Sequence, residues 1–126
     1  MSIIGRLYWN SKTAAITTAN INTYSVGASV DIPDPGRYIM KGVWSFNTVN
    51  SSRVTDVDLS TNGTSAASSG SALYARTRVA NEGGAWVSLE CIAISNITSA
   101  VTMYVKGSAT VTSTAQNTEI FVMRIK

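Results

Sequence analysis

The sequence predicts an all-β protein built as an antiparallel β-sandwich. Short stretches rich in Val, Ile, Thr and aromatic residues recur along the chain, separated by clusters of Gly, Pro, Asn and Ser. Several of these stretches alternate apolar and polar residues, which is the period expected of strands. Ser, Thr and Asn supply 41 of the 126 residues, while the strong helix formers Glu, Lys and Leu are scarce. The three observations together favour a sandwich over any helical architecture.

Ten segments are predicted as strands. They cover residues 3–9, 13–18, 23–26, 36–47, 53–60, 71–79, 85–94, 101–106, 109–112 and 119–125. The alternation is clearest in 36–47, where Tyr38, Met40 and Trp44 share one face and predict a core stripe. Residues 61–70 are small and polar throughout, so we expect an exposed, mobile loop at one end of the sandwich.

The chain has the length of one domain, since 126 residues lie near the commonest domain size. Residues 30–126 are predicted to form the sandwich body. Residues 1–29 are richer in Thr, Ala and Asn and form either N-terminal strands of that body or an arm that packs on a neighbour. Both alternatives stay open at this point.

The closing segment, residues 119–125, is apolar on both faces. Phe121 and Met123 alternate with Ile120 and Val122, and a strand of this kind is buried between layers or covered by another subunit. Aromatic residues just before the first polar turn are predicted to make an exposed contact. The predicted interface residues are therefore Tyr8, Trp9, Ile120, Phe121, Val122 and Met123.

The residues available for catalysis argue against an enzyme. The chain has no histidine, which excludes Ser-His-Asp and Cys-His nucleophiles and most zinc sites. The single cysteine, Cys91, lies in an apolar segment and predicts a buried thiol without a disulfide. Asp56 and Asp58 share one strand face and are expected to be solvated, although a loose calcium site with Asn62 remains an alternative. We expect no enzymatic activity and no cofactor.

The charge pattern gives little support to nucleic-acid binding. The net charge of +3 is spread along the chain, and the close pair Arg76 and Arg78 is expected to form a solvated face. The first residues lack the basic and apolar regions of a signal peptide. No apolar stretch approaches the ~18 residues of a membrane span. Synthesis in a cytoplasm without membrane association is expected.

Four segments carry a resemblance to a known family. They are residues 36–46, which begin Gly-Arg-Tyr, and residues 87–94, 101–105 and 118–125. In this order they resemble small jelly-roll domains of the tumour-necrosis-factor and complement-component type. They are more closely similar to the versions found in virion proteins of tailed bacteriophages, such as head decoration proteins and fibre tips. The resemblance covers residues 30–126.

The resemblance implies a homotrimer in which one sheet of each subunit packs around a three-fold axis. Its implied function is that of a capsid decoration or cement protein, located in the virion, that stabilises the shell. The implied partners are further copies of the chain and the major capsid protein or another virion protein. The alternative is a receptor-binding tip of a fibre or tail, with a host carbohydrate as the ligand.

Overall fold

The computed structural model describes residues 3–16, 21–47, 53–81, 86–110 and 113–126. Within them, one short 3-10 helix, Gly70–Ala72, accompanies nine strands. The strands are β1 Leu7–Lys12, β2 Ala15–Ile16, β3 Ser25–Ile32, β4 Gly36–Asn47, β5 Arg53–Ser60, β6 Leu73–Asn81, β7 Trp86–Ile97, β8 Val101–Ala109 and β9 Ser113–Arg124. The all-β prediction is confirmed.

The strands form two antiparallel sheets that pack face to face. The first sheet has the order β1-β9-β4-β7, with the short β2 also paired to β9. The second sheet has the order β3-β8-β5-β6. From β3 onward the chain crosses repeatedly between the sheets, and most strands that pair are distant in sequence, which is the pattern of a jelly roll. The predicted antiparallel sandwich of jelly-roll type is confirmed.

The core is organised around Trp44 on β4. The side chains of Tyr38, Met40 and Trp44 are fully buried, which confirms the predicted core stripe. The indole of Trp44 lies against two glycines of the second sheet. A Cβ on Gly107 would lie 2.6 Å from Cε2 of the ring, and one on Gly27 would lie 2.9 Å from Cζ3. Glycine at these two positions therefore leaves the space that the indole ring fills.

Several strand boundaries differ from the predictions. β1 starts later than predicted and continues through Lys12, because its polar end pairs with β9 as far as Thr118. The predicted break between residues 106 and 109 is wrong, since β8 runs without interruption through Gly107. β9 starts at Ser113, and its polar first half pairs with the end of β4. Of the strand predicted at 109–112, residues 111 and 112 lie outside the described residues.

The described part of residues 1–29 belongs to the two sheets. β1 and β2 pair with β9, and the first residues of β3 pair with β8 of the same chain. The division of the chain at residue 30 stays a prediction.

Residues 61–70, which we call the strap, do not project from the end of the sandwich. They lie across the outer face of the second sheet, with Ala66 bridged to Thr23 and the Tyr24 amide donating to the Ser65 carbonyl at 2.8 Å. Ser68, within the strap, is buried against the sheet. A Cβ on Gly63 would lie 2.6 Å from Cζ of Tyr104 on β8, so the strap also packs closely on that ring. Most residues of the strap are exposed, as predicted, but the strap is tied to the sheet and is not a free loop at one end.

Candidate assembly surface

The outer face of the first sheet carries a continuous apolar surface, which we call the belt. Its side chains come from all four main strands and occupy two neighbouring rows of the sheet. One row contains Leu7, Met123, Ile39 and Ile94, and the next contains Trp9, Phe121, Lys41 and Ile92. Trp9 is 54% exposed and Ile92 is 59% exposed. Contiguous exposed apolar surface of this kind is typical of a protein contact site.

Three of the predicted interface residues lie on the belt. Trp9 stands opposite Phe121 across the β1–β9 pair, with ring centroids 6.4 Å apart, and Met123 follows two residues later on the same face. Phe121 and Met123 are half-buried by their neighbours. The structure thus brings together an aromatic half of the belt, on β1 and β9.

The other three predicted interface residues lie on the inner side of the sheet. Ile120 and Val122 are fully buried in the core between the sheets. Tyr8 pairs with Val122 in register and packs against the core at the sandwich edge, with the Arg6 guanidinium 5.6 Å from its ring centroid. Because Ile120 and Val122 are enclosed by their own chain, they are not available to another subunit. Our interface proposal is therefore restricted to the outward residues.

One charged residue lies within the belt, and polar residues border it on two sides. Lys41, in the middle of the second row, forms an ion pair with Glu90 at 3.0 Å. Glu119 and Glu90 occupy the next row, on either side of Val43. Beyond the first row, Arg37 lies opposite Asn96. The belt therefore has an aromatic half on β1 and β9 and an aliphatic half on β4 and β7.

The outer face of the second sheet contains a buried ionic cluster. The side chains of Asp56 and Asp58 are fully buried, contrary to the expectation of a solvated pair. Arg78 binds Asp56 through two hydrogen bonds of 2.6 and 2.7 Å, and Arg76 binds Asp58 through two of 2.8 Å. The two arginines were expected to form a solvated face, and both are exposed. Their register opposite the aspartates on β5 also places them as counter-charges.

The strap and Tyr24 cover this cluster. The Tyr24 hydroxyl donates to Asp56 Oδ2 at 2.9 Å. Lys106, which is fully buried, donates from Nζ to the Ala66 carbonyl at 2.8 Å and to Ser68 Oγ at 3.1 Å. Arg76 also donates to the Ser68 carbonyl at 3.1 Å. Strap and sheet are therefore tied together by charged donors, which make the stronger kind of hydrogen bond.

The electrostatics of the cluster follow from burial and partners. Burial by itself raises the pKa of Asp56, but hydrogen bonds from Arg78 and Tyr24 outweigh it and hold that pKa below the usual range. Burial, with the hydrogen bond to Asp56 as a second cause, raises the pKa of Tyr24 to about 12. Burial lowers the pKa of Lys106, against the attraction of Asp58. The cluster therefore holds Asp56 ionised and Tyr24 neutral near pH 7.

The geometry removes the calcium alternative. Asp56 and Asp58 are each held by an arginine, and Asn62 Oδ1 accepts from the amide and the hydroxyl of Thr64 at 3.0 and 2.8 Å. Among the described residues, no group of three or more Cys, Asp or Glu side chains could hold a metal ion. The two aspartates are also closed to a substrate, because their side chains have no exposed surface. They stabilise the structure.

Cys91 is a buried free thiol on β7. Burial raises its pKa, which keeps the thiol protonated and poorly nucleophilic. None of the described residues forms a helix with the length and hydrophobicity needed to cross a bilayer.

A groove runs along one edge of the sandwich between β1 and β3. Its volume is about 450 Å³, and it is lined by Arg6, Leu7, Tyr8, Trp9, Asn10, Ser29, Val30 and Asp31. Asn10 Nδ2 donates to the Ser29 carbonyl at 3.0 Å, which joins the two sheets across the groove. The groove combines aromatic surface with polar groups.

Comparison with known proteins supports the fold. No family model matches the chain. No curated protein matches it either. Among solved structures, a chain from the T13 particle of IBDV matches with a TM-score of 0.67 at 11% identity, over 98% of this chain and 32% of that chain. The infectious bursal disease virus VP2 subviral particle matches with a TM-score of 0.63 at 11% identity, over 95% and 33%.

A third similar structure is murine APRIL, with a TM-score of 0.53 at 13% identity, over 90% of this chain and 99% of that chain. The chain thus spans about a third of the length of the viral chains it matches and nearly the full length of murine APRIL. At these identities the likeness shows a shared fold. The protein is an all-β jelly-roll sandwich similar in architecture to part of a chain from a viral particle.

Proposed function

We propose that the protein is a non-enzymatic structural protein of a virion, and specifically a trimeric decoration or cement protein on the capsid of a tailed phage. The observation that carries the proposal is the belt, in which exposed or half-buried apolar side chains from all four strands of a jelly-roll sheet surround a single lysine, Lys41. The sequence resemblance to phage virion proteins and the architecture shared with part of a viral capsid chain support the assignment.

The belt favours contact between copies of this chain. The surface joins Trp9 and Leu7 at one edge of the sheet to Ile92 and Ile94 at the other, and all four are more than half exposed. In a cyclic trimer each contact is heterologous, so one patch of a subunit meets a different patch of its neighbour. An aromatic half facing an aliphatic half of the next copy satisfies that requirement. We therefore assign the belt to a three-fold contact.

The proposed trimer stabilises the shell by adding contact area between capsid subunits. Specific protein contacts bury on the order of 1,200–2,000 Å² in total. A ligand that binds the assembled state alone shifts the equilibrium toward that state. Three copies joined on one axis would each contribute a docking surface, so that weak single contacts add up. The proposed location of the protein is accordingly the virion.

The oligomeric state tests the proposal. Light scattering of the purified protein should give about 40 kDa, three times the 13.4 kDa of one chain. Ile92→Lys places a charge in the belt at an exposed position and should yield folded monomer. Ala80→Lys, at an exposed position on β6 of the other sheet, is the matched control and should leave the trimer intact. A monomeric wild-type protein at micromolar concentration would refute the trimer.

The virion role is tested separately by copy number. Quantitative mass spectrometry of purified particles should find the protein at tens to hundreds of copies per particle, as expected for a component that covers a shell. A few copies per particle would instead indicate a tip protein. Absence from purified particles would contradict a structural role.

A receptor-binding tip is the second candidate function, and the groove between β1 and β3 favours it. Trp9 and Tyr8 supply apolar ring surface, while Asn10 and Asp31 supply polar groups around the same 450 Å³ space. A glycan array tests this candidate. Binding that is lost in Asp31→Ala and retained in Asp34→Ala would assign the groove to a sugar, and an array without hits would count against the candidate.

A further inference from the structure

A cavity lies beside the belt, where β4 begins and β9 ends. Its volume is about 580 Å³, and it is lined by Pro35, Gly36, Arg37, Asn96, Ile97, Thr98 and Lys126. Two cations line it, and no carboxylate side chain is among its lining residues. The buried Ile97 gives it an apolar floor, while Asn96 and Thr98 add polar groups at exposed positions.

The backbone holds the two cations close together. The Arg37 amide donates to the Lys126 carbonyl at 2.8 Å, and the Ile125 amide donates to the Arg37 carbonyl at 2.8 Å, so the end of the chain continues the β4–β9 pairing. Gly36 allows this closeness, because a Cβ there would lie 2.9 Å from the Lys126 carbonyl oxygen. The backbones of Arg37 and Lys126 are therefore held next to each other by main-chain contacts.

The guanidinium of Arg37 has donors to spare. The described residues give it one side-chain hydrogen bond, a long one of 3.4 Å to Asn96 Oδ1, out of five N–H donors. Elsewhere, Arg76, Arg78 and Lys41 are each neutralised by a carboxylate. Among the described residues, no carboxylate forms an ion pair with Arg37, so its charge is available to a partner at this cavity.

We propose that this cavity binds a carboxylate side chain from an acidic segment of another virion protein, and so forms the docking point of the trimer on the shell. Arg37 offers a planar fork that matches a carboxylate with two parallel hydrogen bonds, and Lys126 adds a second positive charge. The inference rests on the proposed function for the identity of the partner. In a trimer built through the belt, three such cavities would lie near one end of the three-fold axis.

Nucleic acid is the less suitable occupant. Proteins that bind it present basic residues along a stripe or a face, so that several phosphates are contacted in succession. Here two cations border a bounded cavity, and the adjoining row of the sheet is the apolar belt. A single carboxylate side chain, whose methylene groups would pack on Ile97, fits this space better.

The test uses a fluorescent hexaglutamate peptide as the probe and the full chain as the receptor. Anisotropy titration should show binding that weakens with salt, and a hexaglutamine peptide should not bind. Arg37→Gln should weaken binding about tenfold, since a charged hydrogen-bonded pair is lost. Arg37→Lys should bind with intermediate strength, because the charge stays and the fork is lost. Lys12→Gln removes an exposed cation on β1 and should bind as the wild type does.

Other outcomes would overturn the inference. Equal weakening in Lys12→Gln would show attraction by net charge alone, and tighter binding of an oligothymidine than of hexaglutamate would assign the surface to nucleic acid. Light scattering separates this inference from the proposed function. A trimeric Arg37→Gln protein with unchanged peptide binding refutes the cavity alone, whereas an Arg37→Gln protein that dissociates places Arg37 in the subunit contact.

Discussion

The backbone of Gly107 on β8 lies directly against the indole of Trp44 on β4. A Cβ added to Gly107 would approach Cε2 of the ring to 2.6 Å, closer than side-chain atoms pack. The contact joins the central strands of the two sheets, because β4 and β8 lie inside their sheets and not at the edges. Glycine at this position is therefore required by packing.

Gly107→Ala should destabilise the fold by about 1–3 kcal/mol, the usual cost of adding a methyl group to a filled core. Guanidinium unfolding followed by circular dichroism measures the change. In a Trp44→Phe background the same substitution should cost less, because the smaller ring leaves room for the methyl group. An equal cost in both backgrounds would contradict the proposed contact.

Acid should weaken the fold through Asp56. Because the pKa of Asp56 is lower in the folded protein than in the unfolded chain, its charge stabilises the fold above about pH 4, and this contribution is lost as the pH falls through the folded pKa. Unfolding free energies at neutral pH and at about pH 3 test the effect. The loss on acidification should be smaller in Asp56→Asn than in the wild type.

Asp56→Asn should itself lower stability at neutral pH by about 2 kcal/mol. The value lies below the usual range for a broken buried pair, because the partner Arg78 is 56% exposed and can be solvated. The same unfolding experiment measures it. A fully stable variant would show that the pair contributes nothing to the fold.

Lys106→Met should loosen the strap without unfolding the protein. Nζ of Lys106 holds the Ala66 carbonyl and Ser68 Oγ, so its removal should speed amide hydrogen exchange in peptides covering residues 62–70. The global unfolding free energy should change little, since replacing a buried charge with an apolar side chain of similar length is often neutral. Lys12→Met is the control. Unchanged exchange in the strap would mean that Lys106 does not hold it.

Two substitutions at the ion pair within the belt should act in opposite directions on the proposed trimer. Lys41→Met removes a charge that assembly would desolvate, and should lower the dissociation constant. Glu90→Gln leaves Lys41 within the belt without its ion-pair partner, and should raise the dissociation constant. Sedimentation across a concentration series measures both. Identical constants for the two variants would place the subunit contact elsewhere.

Cys91 should be unreactive in the native protein. Its thiol is buried and its pKa is raised, so a disulfide reagent at neutral pH should label it only after denaturant is added. The rate of labelling of the native protein is the measurement. Fast labelling before unfolding would show that β7 opens readily at this edge of the first sheet.

The sequence predicted β4 and its core stripe well, because Tyr38, Met40 and Trp44 alternate without interruption. It failed at Gly107, since a glycine beside a serine resembles a turn, and its contact with Trp44 joins residues far apart in the chain. It could show that both faces of the closing strand are apolar. It could not show which face turns inward, because that depends on how β9 packs between β1 and β4.

The strap was missed for a similar reason. Its small polar residues resemble a free loop, and the lysine that holds Ala66 lies 40 residues away in the chain. The sequence predicts solvated aspartates on β5, because their register with Arg76 and Arg78 on β6 cannot be read from composition. Long-range pairing decides both features, and it becomes visible only in the fold.

The strap limits the valency of the subunit. Of the two sheet faces that the structure describes, one is closed by the chain itself over a charged interior, and the other carries the belt. A particle with one adhesive side stops growing once that side is satisfied, whereas a particle with two can stack without end. The strap therefore keeps copies from stacking through both sheet faces, and confines the proposed contact between copies to the belt.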